Sequence, residues 1–553
     1  MKALLVYPNA PHNLGITDLG IRLASKKSYN PPLGLATIAA LLPQHWDLKL
    51  VDLTFQEISE RDWKERELVL LSGTIVQLRS IFEVIREAKR RGKIVAVGGP
   101  GVFHFPQKVL DAGADFVVKG EGEVTVPLFL ETLRKGDAGV VIETDQVADL
   151  TISPVPRYDL IDRDAYVDMT MQFSRGCPFR CEFCDVTFMF GRAIRTKTPE
   201  QMLLELETLH ELGWRRQICF VDDNFIGNPA RAKAFLNRLI PWMDEHDRPF
   251  EFYTFTSVNL GNFPEVMKLM VRAGFNRVLL GIETTDKESL KNVKKFQNVA
   301  IDIDESCRRI TKAGLQIVAL TMFGFDNEQP QRDLRVIDFV KRNNIPEIDT
   351  SLLQAVPGTR LWERLEREGR LLPIEFHRIS DWNNVTMNFM PTRPMDEIFA
   401  EFVNVYQELY NPDAYFERTF AHFQAMDPPP VRPKFRIPSP SELRVFFIMI
   451  LRHGLLFPWR RTFWKVFIKA IRHLEPGRFE AFVRACITLE HYLALRDSLA
   501  QQLKRIHQQG TKEPKGKLSA LSLSSEANHT EKYHILRESS HKNPRMSQTS
   551  AAL

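Results

Sequence analysis

Twice along this chain, short apolar runs alternate with amphipathic stretches at helical spacing, and a proline-bearing connection separates the two series. Such alternation leaves few architectures. Right-handed crossovers between consecutive strands give a parallel sheet covered by helices. In the first series residues 3–7, 48–53, 68–72, 94–98 and 116–119 read as strands, and 32–42, 80–91 and 106–112 as helices. An α/β fold with a doubly wound parallel sheet is therefore expected for residues 1–150, followed by a linker over 149–164 that holds Pro154 and Pro156. The second series reads as strands at 169–174, 217–222, 251–256, 277–282, 316–323 and 348–353, with helices at 199–212, 230–247, 263–273, 286–295 and 302–313. Six βα units in a row predict a partial (β/α)6 barrel over 165–370, whose chemistry sits at the carboxyl ends of its strands. Helical patterns at 396–409, 440–451, 460–474 and 478–502 then predict an α-helical C-terminal domain over 371–507. From Gln508 onward Ser, Lys, Asn, Thr and His dominate without an apolar period, so 508–553 is expected to be a disordered tail.

Composition narrows the function classes. A net charge of +5 over 553 residues gives no nucleic-acid footprint. No apolar stretch of about 18 residues predicts a membrane span, and the short N-terminal apolar run, ended by Pro8 and Asn9, reads as a first strand rather than a signal peptide. The six cysteines are Cys177, Cys181, Cys184, Cys219, Cys307 and Cys486. Three sit together and three are scattered, which fits a reducing cytoplasm better than a disulfide framework. Two strands of the first series run out into glycines, at Val95-Ala96-Val97-Gly98-Gly99-Pro100-Gly101 and at Val118-Lys119-Gly120-Glu121-Gly122-Glu123. These are either tight strand-to-helix turns or the floor of a ligand crevice.

The segment Ser174-Arg175-Gly176-Cys177-Pro178-Phe179-Arg180-Cys181-Glu182-Phe183-Cys184-Asp185 follows a predicted strand with spacing Cys-x3-Cys-x2-Cys. Three thiolates on one short loop can hold three irons of a [4Fe–4S] cluster. The fourth iron is left open for the amino and carboxylate groups of S-adenosylmethionine, whose sulfonium bond an electron from the cluster can cleave. A closed zinc site needs a fourth ligand; none is nearby, and the next downstream histidine is His210. Polar groups gather at the other strand ends: Asp222, Asp223 and Asn224 after the second, Ser257 and Asn259 after the third, Glu283 after the fourth. Each could equally be a helix cap. Together they suit the methionine part of the cofactor.

The cysteine motif, with Phe183 at the aromatic position before the third cysteine, resembles the radical S-adenosylmethionine superfamily. Further phrases, Gly191-Arg192, 221–228, 281–284, Lys295-Phe296-Gln297-Asn298 and 366–371, resemble one subfamily. It joins a cobalamin-binding domain, the radical barrel and a helical C-terminal domain, and includes hopanoid C-2 methylases and bacteriochlorophyll side-chain methylases. The resemblance implies cobalamin on residues 1–150, contacted by Gly98, Gly99, Gly120, Gly122, Thr74, Val76 and Glu121. The Asp-x-His-x-x-Gly pattern that supplies cobalt with histidine is absent, and His104 lacks its context, so the lower cobalt ligand stays unassigned. The resemblance also implies methyl transfer to an unactivated carbon of a hydrophobic small molecule, a lipid or tetrapyrrole, fed by a flavodoxin- or ferredoxin-type electron donor. Ring formation or oxidation by the same cofactors, or a sensor role, are the alternatives. Methylthiotransferases need a second cluster near the N-terminus, and residues 1–176 contain no cysteine. Cys219 and Cys307 read as core residues. Over 444–471 bulky apolar residues alternate with Arg and Lys at near-helical spacing. This is either a helix packed on the barrel with its basic face in water or a peripheral contact with an anionic membrane.

Overall fold

The computed structural model describes residues 1–9, 21, 25–373, 387–431 and 440–510. Six parallel strands form the first sheet: β1 (Lys2–Tyr7), β2 (Asp47–Asp52), β3 (Leu68–Ser72), β4 (Ile94–Gly98), β5 (Phe116–Lys119) and β6 (Val140–Glu143), in the order β2-β1-β3-β4-β5-β6. Alternation of side chains along each strand divides the core in two. Leu4, Val6, Val69, Leu71, Val95 and Val97 pack with Leu78, Ile81, Ile85 and Ala88 of the helix Leu78–Arg90. Ala3, Leu5, Leu68, Leu70 and Ala96 pack on the opposite face with Leu35, Ala39, Val126 and Phe129 of the helices Leu33–Leu41 and Gly122–Lys135. The strand order reverses between β1 and β3, and open α/β sheets take ligands beyond the carboxyl ends of the strands at such a reversal. The sequence reading placed no strand at β6. That strand is four residues long with one fully buried position, so it carries little hydrophobic signal.

The second sheet has order β14-β13-β12-β11-β10-β7, all parallel, built from β7 (Met169–Met171), β10 (Gln217–Phe220), β11 (Glu251–Ser257), β12 (Phe275–Glu283), β13 (Gln316–Phe323) and β14 (Glu347–Leu352). This is the expected run of six βα units. One predicted element needs correction. The stretch 169–174 is not one strand: β7 stops at Met171, and β8 (Ser174–Arg175) pairs antiparallel with β9 (Arg195–Thr196). The cause is Asp222. Its carboxylate accepts the backbone N–H groups of Phe173 and Ser174, which turns the chain out of the barrel ladder. The core is strongly aromatic, with Phe173, Phe220, Phe225, Phe235, Phe252 and Phe275 in mutual contact. Cys219 and Cys307 are buried.

The helices Met395–Leu409, Pro412–Gln424, Pro440–Leu451, Arg460–His473 and Pro476–Gly510 follow the barrel. The sequence reading missed Pro412–Gln424, because the buried polar side chains Arg418, Thr419 and His422 interrupt its apolar stripe. The first of these helices solves a problem of the open barrel. A terminal strand presents unpaired N–H and C=O groups. On β14 the Tyr410 hydroxyl accepts from Ile348 N at 3.0 Å and donates to Ile348 O at 2.9 Å. One helical turn away, the Tyr406 hydroxyl does the same for Thr350, with both distances 3.0 Å. The chain closes its contacts on itself over Met1–Leu503. Of Lys504–Leu553, the described part is the end of the last helix, and the tail expected over 508–553 lies mostly outside the described residues. No described helix is long and apolar enough to cross a membrane.

Candidate functional site

Backbone and carboxylate contacts hold the cysteine loop and fix where the thiols point. Gly176 sits at φ +92°, and a Cβ there would lie 2.7 Å from Ala193 O, so only glycine fits before Cys177. Its N–H donates to Asp223 Oδ2 at 2.9 Å. Glu182, between the second and third cysteines, donates its N–H to Val293 O at 2.9 Å and accepts from Leu361 N at 3.0 Å. Its buried carboxylate holds Arg364 at 2.7 Å, and Arg364 reaches on to Asp326, also at 2.7 Å. The three thiols are half-buried. Burial, with the neighbouring thiol Cys181 adding to it, pushes the Cys177 thiol up to about 11. Burial also raises Cys184, again with its thiol neighbours adding. Three thiols gathered on one short loop are the donor set of a cubane iron–sulfur cluster. The residues present fit that group.

Around the loop lies a ring of strand ends. Asp222 is buried, and its oxygens are taken by Phe173 N, Ser174 N and the Ser174 hydroxyl. Burial pushes it up to about 7 against those donors. Burial likewise pushes Asp223 up to about 6, opposed by the Gly176 N–H and assisted by Asp185. Asn224 Nδ2 donates to Ser257 Oγ at 3.0 Å, and Ser257 Oγ donates to Asn259 Oδ1 at 2.5 Å. Asn224, Ser257 and Asn259 thus form one relay, whereas Asp222 serves the backbone of the cysteine loop. Glu283, at φ +58°, accepts from Lys295 Nζ. Gly281 makes room for the pair: a Cβ there would lie 2.8 Å from Glu283 Oε1 and 2.9 Å from Lys295 Nζ. Burial acts to lower Lys295, but Glu283, Cys181 and Cys184 outweigh it and hold the ammonium charged. That ammonium stands 5.9 Å from the Phe183 ring centroid, and Gln297 Nε2 donates to Cys181 Sγ at 3.5 Å.

The carboxyl edge of the first sheet meets this loop. Thr74 and Gly120 are exposed there, and Val76, Gly98, Gly99 and Gly122 are half-buried. Thr74 and Gln77 close a capping box after β3, while Gln77 Nε2 reaches Pro8 O at 2.6 Å, tying together the two strand ends at the switch point. Gly99, at φ +86°, is required by its own packing, since a Cβ would meet Ser72 Oγ at 2.4 Å. Glu121 differs from the others in its group. It is buried and paired with Arg175 of β8 and Arg195 of β9, so it ties the first sheet to this two-stranded ribbon instead of lining the crevice. Glu123 grips the same Arg175 at 2.8 Å. His104 stacks on Phe188, its Nε2 3.6 Å from Asp185 Oδ2, and its buried Nδ1 has no hydrogen-bond partner. A switch-point crevice, strand-end glycines and an orphaned polar nitrogen at the seam fit a large polar cofactor held over the cysteine loop.

Two domain profiles agree with this division: a B12 binding domain over residues 20–130 and the radical SAM superfamily over 171–340. A third, a domain of unknown function, covers 359–505. An uncharacterized methyltransferase of Synechocystis sp. strain PCC 6803 is 43% identical, over 91% of this chain and 93% of its own length. The hopanoid C-2 methylase of Rhodopseudomonas palustris strain TIE-1 is 31% identical, over 89% and 93%. This chain belongs to the B12-binding radical S-adenosylmethionine methylase family. It is an enzyme of that class, with S-adenosylmethionine, a [4Fe–4S] cluster and cobalamin as its cofactors. Its fold is shared with the radical methyltransferase TsrM from Kitasatospora setae, at TM-score 0.58 and 18% identity over 85% of this chain and 99% of TsrM. In this radical methylase Lys295, Gln297, Arg175 and Arg364 are the site residues that sequence reasoning left without a role. Lys295 and Gln297 stood in a recognised phrase, but their approach to the cysteines arises only when residues 295–298 fold back across the loop.

Proposed function

We propose that the enzyme methylates an unactivated carbon of a polycyclic, hopanoid-like lipid. The observation that carries this reading is the seam itself, where the cobalamin-type crevice of the first sheet opens onto the cysteine loop across His104, Asp185 and Phe188. When bound, the cluster and S-adenosylmethionine supply a hydrogen-abstracting radical and cobalamin supplies a methyl group. Cys177, Cys181 and Cys184 hold the cluster, with Phe183 against it. Asn224, Ser257 and Asn259 orient the methionine part of S-adenosylmethionine, while Asp222 and Asp223 keep the loop in place. Lys295 and Glu283 form a fixed charge pair beside the thiolates. Thr74, Val76, Gly98, Gly99, Gly120 and Gly122 line the cobalamin crevice, and Glu121 braces it. A flavodoxin- or ferredoxin-type protein provides the electron.

The relative acting on hopanoids supports a lipid substrate, and so does the surface. Phe447, Leu455 and Leu456 are 64%, 60% and 65% exposed, and Leu443, Leu451, Ile468 and Ile471 are exposed beside them. At 100° per residue, Leu443, Phe447 and Leu451 fall on one arc of Pro440–Leu451 with Arg444. Ile468 and Ile471 share an arc of Arg460–His473 with Arg460, Arg461 and Arg472. The π-helical turn Arg452–Leu456 joins the two helices, anchored by Arg452–Glu490 at 2.7 Å and Trp464 Nε1–Gly454 O at 2.9 Å. Apolar residues interleaved with arginines suit an anionic bilayer surface, through which a hopanoid-like substrate reaches the enzyme.

The test is anaerobic assay of the protein reconstituted with iron, sulfide and cobalamin. Polycyclic lipid in vesicles, S-adenosylmethionine and a strong reductant should yield 5′-deoxyadenosine and a methylated lipid, and neither with Cys181→Ala. Cofactor cleavage with no methylated lipid would overturn the substrate assignment. Flotation with phosphatidylglycerol vesicles should fall when Phe447, Leu455 and Leu456 are replaced by serine; unchanged flotation would overturn the membrane contact.

A further inference from the structure

On the outside of the barrel, away from the cysteine loop, three metal-binding side chains converge. Glu207 and His210 lie one turn apart on the helix Pro199–Glu211, and His246 caps the end of Pro229–Glu245. One ligand atom from each lies within 4.8 Å of the other two.

Two of the three donors are already aimed by their neighbours. His246 Nδ1 is 2.8 Å from Trp242 O. A carbonyl can only accept, so Nδ1 donates to it and Nε2 is the ring nitrogen left facing Glu207. The Trp242 indole stacks on this ring at 4.1 Å and 18°, which fixes its plane. Trp242 Nε1 also donates to Glu207 Oε2 at 3.0 Å, which turns the carboxylate. The result is His246 Nε2 at 3.2 Å from Glu207 Oε2. That distance suits either a shared proton or a metal ion held between the two atoms. A histidine whose second nitrogen is bound to a backbone carbonyl is the arrangement that metal-ligating histidines show. Two ligands at 2.0–2.1 Å from a tetrahedral zinc lie about 3.3 Å apart, close to the distance found. His210 stands edge-on to His246, with ring centroids 5.0 Å apart.

We propose that Glu207, His210 and His246 bind a divalent transition ion of borderline softness, with Zn2+ the best match, leaving a fourth position open to water or an external ligand. The donor set of two imidazoles and a carboxylate selects such a metal over Mg2+ or Ca2+, which prefer oxygen throughout.

Zinc binding to the cluster- and cobalamin-loaded enzyme, measured anaerobically by competition with a chromophoric chelator, tests this. The wild type should take up about one zinc per chain with its iron content unchanged. His210→Ala and Glu207→Gln should each weaken that binding at least tenfold. Glu207→Gln keeps the side-chain shape, so its failure to bind is not a folding defect; unchanged cluster absorbance checks this. Equal zinc affinity in wild type and both variants would overturn the site. Zinc uptake accompanied by iron loss would also overturn it, because the zinc would then be on the cysteines.

Discussion

Replacing Arg175 by methionine removes a cation that grips both Glu121 and Glu123 where the first sheet meets the cysteine loop. Glu123 has almost no exposed side-chain surface, so solvent screens this pairing little. Burial alone would raise its carboxyl, but Arg175, the largest opposing influence, together with the Ser153 hydroxyl outweighs that and brings it from the ordinary 4.5 down to about 2. At about 1.4 kcal/mol per tenfold change in acidity, these contacts together are worth about 3 kcal/mol, with Arg175 the largest contributor. Because the folded value is depressed, this stability is present above about pH 4.5 and lost as pH falls toward 2. At neutral pH, Arg175→Met should therefore loosen the junction by up to about 3 kcal/mol, or up to about a hundredfold in the opening equilibrium. Hydrogen–deuterium exchange of the peptide spanning residues 119–130 reads this directly. Adding Glu123→Gln should recover much of the protection, since the larger cost is a buried carboxylate left without a partner. Exchange within threefold of wild type in Arg175→Met, or no recovery in the double variant, would refute the account.

Three further outcomes follow from the site. Gly281→Ala places a methyl against the Glu283–Lys295 pair and should cost about 1–3 kcal/mol, seen as a lower thermal midpoint and lower iron retention per chain. Gln297→Leu removes the N–H that stabilises the more negative, reduced state of a cluster on Cys181. At about 1 kcal/mol per hydrogen bond and about 59 mV per tenfold, the reduction potential should fall by about 40 mV in an EPR-monitored titration; an unchanged potential would show that Gln297 does not tune the cluster. Burial raises Asp222 to about 7, so its contribution to stability is full at low pH and is lost as pH rises through that value. Urea midpoints of the cluster-free chain should decline between about pH 5 and 7, by up to about 1.4 kcal/mol per pH unit for this one group, and less steeply in Asp222→Asn.

The architecture was legible because parallel strands buried on both faces leave near-continuous apolar runs; 68–72, 94–98, 116–119 and 316–323 match the observed strands residue for residue. The cysteine loop was legible from spacing. What escaped are effects that exist only after folding. Asp222 and Asp223 are adjacent in sequence, and nothing local says that one binds the backbone of Phe173 and Ser174 while the other holds Gly176. Glu121 sits among strand-end glycines and looked like a crevice residue, but its partners Arg175 and Arg195 are over fifty residues away. The Glu207–His210–His246 group joins two helices whose spacing in sequence carries no motif.

The two tyrosine hydroxyls on β14 bear on how far this chain can be shortened or exchanged. A barrel cut before Met395 would expose a bare strand edge of six residues, open to pairing with the same edge of a second copy. Edge-to-edge dimers and fibres would then compete with the correctly folded chain. Chimeras that import a foreign helical segment after the barrel inherit this risk unless a side chain of tyrosine's length again meets Ile348 and Thr350. Solubility of the catalytic half, and not only its substrate choice, is thus written in residues 406 and 410.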